Sequence, residues 1–259
     1  MAHWKFTLAA VAVSMASITL PTVAHANNYQ DLWWNSSESG WGINISQQGD
    51  VMFATWFIYG ANSQPTWIFL SRAERSGPLG NTFAGEISQA ISGSPFSAVP
   101  FVPSTANANF RPVGDARLVF SDARTGTLTY TFDGVQVVKQ ITRQFLGVIN
   151  LTGTYYGGLF RTAVCANSGV SNSIYSISHT PSLGTATIIE VGGNLCRFTG
   201  VLNQFGSTFE GSGTYTCQGE VGTWTGSEGT RGESTFSIKL SLQTGAGICT
   251  STFGGFRSP

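Results

Sequence analysis

Leu128, Tyr130 and Phe132 alternate with Thr127, Thr129 and Thr131, Asp133-Gly134 follows, and 135–142 resumes an extended pattern. Successive side chains of a strand point to opposite faces, so a period of two marks a strand with one face in a core. Asp-Gly supplies the φ > 0 positions of a two-residue hairpin turn. The same period recurs where Phe236, Ile238, Leu240 and Leu242 alternate with Thr235, Ser237, Lys239 and Ser241. Val51–Tyr59 is apolar on nearly both faces, which predicts a strand covered on both sides. No segment carries a capped amphipathic helical stripe. The chain reads as all-β.

Its 259 residues allow one large domain or two small ones. A boundary falls at 146–151, dividing the chain into units of 29–147 and 148–259. The first holds seven or eight strand-like segments and no cysteine, and the second about eight more with all four cysteines. Short strands at such even spacing suit a sandwich or an up-and-down barrel, and a barrel leaves no open sheet edge. The expectation is two antiparallel up-and-down β-barrels, calycin- or lipocalin-like. Residues 78–113, with Pro95, Pro100, Pro103 and Pro112, read as a long loop or lid.

Residues 1–26 have the form of a secretory signal peptide: Lys5, an apolar run over 6–20, then Pro21 and the small-x-small Ala24-His25-Ala26. No later run approaches the roughly 20 apolar residues of a membrane-spanning helix. An exported chain, periplasmic or extracellular, is expected. After cleavage His179 is the one histidine, and twelve Lys and Arg face thirteen Asp and Glu. A balance near zero without a basic stripe excludes nucleic acid as a partner, and 12% aromatic with 10% charged residues opposes disorder.

Four cysteines in an exported chain read as two disulfides. Cys196 and Cys217 stand symmetrically about Phe205-Gly206-Ser207-Thr208, where a hairpin would set them opposite one another. Cys165 follows the first strand of its half and Cys249 opens the last, and those strands are neighbours in a closed meander. The expected pairs are Cys196–Cys217 and Cys165–Cys249. A zinc site is the rival reading, opposed by the single histidine and the lack of a C-x-x-C. No metal or cofactor is expected.

Five of the six tryptophans beyond the leader lie between 33 and 67. They occur in Leu32-Trp33-Trp34-Asn35, Glu38-Ser39-Gly40-Trp41-Gly42, Thr55-Trp56-Phe57 and Pro65-Thr66-Trp67. This block resembles a module of exported proteins of Gram-negative bacteria with the approximate pattern LWWNPxESGWGxxxxxQGxxxFxxWFxYxxxGxPxW. The stretch 116–144 resembles that module's closing segment, so the resemblance covers roughly 31–145. It departs at Ser36, where the pattern has proline, and at Ser63, where it has glycine. The resemblance implies export and a β-rich module, and brings no catalytic residues.

On the residues themselves, Trp33, Trp34, Asn35, Glu38, Trp41, Asn44, Trp56, Tyr59 and Trp67 are the candidate ligand-binding set. Binding sites are mostly apolar with a few placed polar groups, which here would be Asn35, Glu38, Asn44 and Tyr59. The competing reading makes the tryptophans barrel filling and Glu38 a tie for a strand end.

A Ser-His-Asp arrangement has only His179 to draw on, and that residue shares a strand face with Tyr175 and Ile177 just before Pro181. No G-x-S-x-G elbow is present. Paired cysteines leave no thiol nucleophile. Glu38, Asp50, Glu86 and Glu210 could form a glycosidase pair, but spacing selects none of them. An outer-membrane barrel would need apolar lipid-facing positions where the second half has Ser, Thr and Lys.

The reading that remains is an exported, non-catalytic binding protein with an aromatic pocket or platform for a small apolar, aromatic or sugar ligand. The alternatives are a structural or adhesive envelope protein, a carboxylate-based hydrolase and a protease inhibitor.

Overall fold

Each alternating stretch forms a strand that pairs with its neighbours in sequence. The computed structural model describes residues 28–105, 109–162, 165, 168–193 and 195–258; the leader read at 1–26 lies outside them. The first eight strands are β1 (Asp31–Trp34), β2 (Gly42–Gln48), β3 (Val51–Tyr59), β4 (Pro65–Ser76), β5 (Thr82–Ala90), β6 (Phe110–Phe120), β7 (Thr125–Phe132) and β8 (Val135–Arg143). They form an antiparallel barrel, closed where β1 meets β8 through Trp33↔Arg143 and Trp34↔Thr142. The next eight are β9 (Gly153–Arg161), β10 (Gly169–Thr180), β11 (Thr185–Val191), β12 (Arg197–Phe205), β13 (Thr208–Cys217), β14 (Glu220–Arg231), β15 (Thr235–Thr244) and β16 (Gly247–Arg257). They close in the same way, β16 pairing with β9 from Ser251↔Arg161 to Arg257↔Tyr155. The fold is therefore two eight-stranded up-and-down barrels.

An eight-stranded barrel is just wide enough for side chains to fill, and both are filled. In the first, Tyr29 stacks on Phe120 at 3.8 Å between ring centroids, and Trp33 lies 4.9 Å from the same ring. Met52, Ala54, Trp56, Ile68, Leu70 and Phe83 complete that core. In the second, Tyr155, Tyr175, Phe209, Phe236, Phe253 and Trp224 occupy the interior. Fully burying one phenylalanine of this kind contributes about 1.5–3 kcal/mol, so aromatic filling is a large part of what holds each barrel.

Two sequence expectations change. The segment 78–113 is not one loop, because Thr82–Ala90 and the start of β6 are ladder strands within it. Only 91–109 connects them, with Ile91 N donating to Asn109 O at 2.9 Å across the base. The prolines misled here: Pro112 sits at a register shift where β5 and β6 need no regular ladder bond. The strand at 51–59 is covered on one side only. Met52, Ala54 and Trp56 face the core, while Phe53, Phe57 and Tyr59 stand in solvent.

All four cysteines are paired, Cys165 with Cys249 and Cys196 with Cys217. Both bridges lie at the same end of the second barrel. The opposite end meets the first barrel. There Asp31 Oδ2 accepts Arg143 Nη1 at 2.9 Å and, across the junction, both Ser207 N and Ser207 Oγ at 2.8 Å. Gly206 occupies the turn at φ +58°, a conformation that favours glycine, and a Cβ there would crowd the Asp31 carboxylate. Arg124 adds a cation–π contact with Phe205 at 4.4 Å. The connecting residues are tied as well, Ile149 N to Gln204 Oε1 at 2.8 Å and Leu151 N to His179 Nδ1 at 3.3 Å.

Candidate functional site

The nine candidate residues separate into three places. Trp33 and Trp56 are 0% exposed, so no ligand reaches them in the folded barrel; they are core, and the binding set loses both. Strand parity explains this, since both pair with the buried Ile43 of β2, and Trp56 shares its face of β3 with the buried Ala54. Trp33 Nε1 donates to Tyr29 O at 2.9 Å, and the Arg143 guanidinium lies 4.9 Å over its ring.

Trp34, Asn35, Glu38 and Trp41 belong to the β1–β2 turn at the rim. Asn35 Oδ1 accepts Ser37 N at 3.0 Å and Ser37 Oγ at 2.7 Å, a side chain folding its own turn. Glu38 Oε2 accepts Trp41 Nε1 at 3.1 Å and Lys139 Nζ at 2.5 Å, and that ammonium sits 5.7 Å from the Trp41 ring. The Lys139 hydrogen bond, helped by Trp41, holds the Glu38 carboxyl below its usual range. A carboxylate held ionised in this way suits a rim tie and opposes a general acid, which must keep its proton near neutral pH.

Asn44, Tyr59 and Trp67 lie on the outer wall, and the register shows what they stand beside. Gly42, Phe57 and Trp67 follow one another across β2, β3 and β4. Asn44, Thr55, Phe69 and Ser88 form the next row, across β2 to β5. Tyr59 faces Pro65, and Phe110 pairs with Ala90 on the far strand. Trp67 and Phe69 have centroids 5.7 Å apart, and Phe69 meets Phe110 edge-on at 5.2 Å. Phe57 is 63% exposed, Tyr59 62% and Trp67 46%. The result is a continuous aromatic ridge on the outside of the barrel, flanked by a side-chain-free Gly42 and by the amide and hydroxyls of Asn44, Thr55 and Ser88.

The ridge ends at the rim that carries the β3–β4 turn and the 91–109 connection. That connection exposes Phe96, Val99, Phe101 and Val102. Large apolar groups contiguous on a surface mark interaction sites, whereas single ones need no explanation. Phe53, Phe57, Phe69 and Phe110 were absent from the candidate set. Alternation alone groups 53, 57 and 59 on one face of β3 and 54, 56 and 58 on the other, and pairing with β2 and β4 then shows which face is outward.

Among the described residues, the histidine and the carboxylates considered for catalysis are not brought together. His179 is buried, its Nδ1 accepting Leu151 N and its Nε2 lying 3.3 Å from Leu202 O, and burial lowers its pKa. It anchors the connector to the second barrel. Asp50 pairs with Arg75 at 2.7 Å and Glu210 with Arg124 at 3.7 Å, while Glu38 is tied to Lys139. These carboxylates sit at separate places on the fold.

No protein-family model and no curated protein matches the chain. Among solved structures it is similar to the isotype 1 transferrin binding protein B from serogroup B Neisseria meningitidis, with 10% identity and a TM-score of 0.34. The match covers 84% of this chain, which spans 59% of the length of that one.

Proposed function

We propose that this is an exported, non-catalytic binding protein whose first barrel holds a neutral glycan on the aromatic ridge of its outer wall. The observation that carries the proposal is the exposure of Phe57, Tyr59 and Trp67 together on one face, in register with Phe69 and Phe110. Sugars present flat patches of C–H groups edged by hydroxyls. Aromatic faces complement the patches, and side-chain amides and hydroxyls complement the edges. Asn44, Thr55 and Ser88 supply those groups between the rings. Near the wall Arg72 pairs with Glu74 and Arg111 with Asp133, so these four charges offset one another. The leader pattern at 1–26 and the two disulfides support export.

The test is affinity electrophoresis of the mature protein through gels containing soluble neutral polysaccharides, followed by titration with the best oligosaccharide. Phe57→Ser/Trp67→Ser should weaken binding tenfold or more, as loss of central aromatic anchors does, with an unchanged melting temperature. Retained binding in that variant would sink the assignment. Concentration-dependent self-association in place of saturable binding would favour an adhesive protein instead.

A further inference from the structure

At the far end of the second barrel a buried cation sits against sulfur. Arg161, the last residue of β9, is 5% exposed, and its Nη2 donates to Cys196 Sγ at 3.1 Å and to Cys217 Sγ at 3.2 Å. Among the described residues it enters no ion pair. Burying a guanidinium without a counter-ion is costly, and a neutral disulfide repays little of that cost. A thiolate in the same place would repay far more.

The two residues differ in burial: Cys196 is fully buried, whereas Cys217 is half-buried. Cys217 shares a cavity of about 20 Å³ with Arg161, Glu220, Cys165 and Cys249. We propose that Cys196–Cys217 is a reactive disulfide, opened by an external dithiol with Arg161 stabilising the thiolate that leaves. The dithiol's thiolate attacks Cys217 Sγ, the sulfur of the less buried residue, and forms a mixed disulfide there. The Cys196–Cys217 bond breaks, and its electron pair stays on Cys196 Sγ beside the Arg161 Nη2–H. The second thiol of the reagent then displaces Cys217, leaving two protein thiols and an oxidised, cyclic reagent. A lower pKa of the leaving thiol speeds the first step, and a stabilised reduced form makes the bond more easily reduced at equilibrium.

The other bridge lines the same cavity, but among the described residues Arg161 donates to neither of its sulfurs. Cys165 and Cys249 are both buried, and the Cys165 sulfur lies 3.4 Å from Thr250 O, a lone pair that repels a thiolate. Around the first pair, Glu190 accepts Cys196 N–H at 3.2 Å, and burial together with the nearby Glu220 pushes the Tyr215 pKa up. Both carboxylates oppose a thiolate, but Arg161 is the charge in direct contact with the sulfurs. Opening the bridge leaves the nine β12–β13 pairs from Arg197↔Thr216 to Phe205↔Thr208 in place, so the change is local to the barrel end.

The experiment is redox titration of the mature protein in dithiothreitol buffers, with acid quenching, alkylation and peptide mass spectrometry. Cys196–Cys217 should open at a reduced-to-oxidised ratio at least about tenfold lower than Cys165–Cys249 does, with the strand circular dichroism intact. Arg161→Gln should raise that ratio about tenfold. Simultaneous opening of both bridges on unfolding would overturn the proposal, as would an unshifted midpoint in a folded Arg161→Gln. Should that variant not fold, the selectively reduced wild-type protein decides: its ultraviolet thiolate absorbance should titrate below about 8.5, the free-cysteine value, and titration at or above it overturns the proposal.

Discussion

The two barrels share strand number, direction and closure, yet they are finished differently. The first has no cysteine and fills its interior with Trp33, Trp56, Phe83 and Phe120, then places a second set of rings on its outside. The second has two disulfides at one end, and its outer wall carries hydroxyls in register, Thr187, Thr199, Thr214 and Thr223 on four successive strands. On β9 and β16 that wall also exposes Tyr156, Phe160 and Phe256, but the threonine row of β11 to β14 pairs without rings, so strand pairing and the inner face are enough to specify such a wall. The rings outside the first barrel are therefore surplus to the fold, and surplus exposed aromatics call for a functional account.

That contrast is broken most severely from inside. Trp56→Ala should destabilise the first barrel by about 3–5 kcal/mol, the usual cost of emptying a buried tryptophan site. Thermal melting followed by near-ultraviolet circular dichroism would show it, and a loss under 1 kcal/mol would mean Trp56 is not the core residue its burial indicates. The second barrel should be insensitive to this change if the units fold separately.

The junction comes next. Asp31 serves Arg143 within its own barrel and Ser207 in the other, and Arg143 also donates to the carbonyls of Asn28, Gln30 and Ala123. Asp31→Ala leaves a buried guanidinium without its carboxylate, a change that costs about 3 kcal/mol in comparable pairs. The retained carbonyl acceptors bias the outcome toward the lower side. Limited proteolysis at 144–152 should accelerate in the variant, and unchanged cleavage would separate that ion pair from the docking of the barrels.

Acid should act on the second barrel before the first. His179 titrates at 6.5 when exposed, and burial lowers its pKa in the folded chain. The folded state thus binds this proton more weakly than the unfolded one, so stability is complete above about pH 6.5 and falls as pH drops from there toward the folded pKa. Chemical denaturation at a series of pH values should show that decline, and His179→Asn should flatten it. Glu38, Asp122 and Asp133 in the first barrel have lowered pKa values, and their contributions are lost only at lower pH, below the ordinary carboxylate range. A decline near pH 6 that persists in His179→Asn would refute the assignment.

Much of this was legible in the sequence. Alternation and turn residues are local, and they gave the strands, the division into two units and the closed meander. The disulfide pairs followed, because hairpin symmetry and barrel closure turn register into distance. What was not legible was which face of a doubly apolar strand meets the core. At 51–59 both faces are apolar, and composition alone made each ring equally a core or a surface residue. Only pairing with β2 and β4 fixed the parity. Glu38 was legible as a polar partner for Trp41, but not Lys139, which comes from 101 residues away in the chain.

The smallest effect on stability belongs to the residue that best separates the two uses of aromatic side chains. Phe57 sits next to Trp56 in the chain and opposite to it in the barrel wall, with 63% of its surface in solvent. Phe57→Ser removes no core contact, and exposed substitutions of this kind usually stay within about 0.5 kcal/mol. Trp56→Ala and Phe57→Ser therefore form a matched pair on one strand. If the outer ridge is filling for some unrecognised packing, Phe57→Ser should melt early as well. If it is a binding surface, the melt should be unmoved while retention by polysaccharide falls. Two adjacent aromatics giving opposite results in the two assays would tie the ridge to recognition more firmly than either variant alone, because each controls for the other's backbone context.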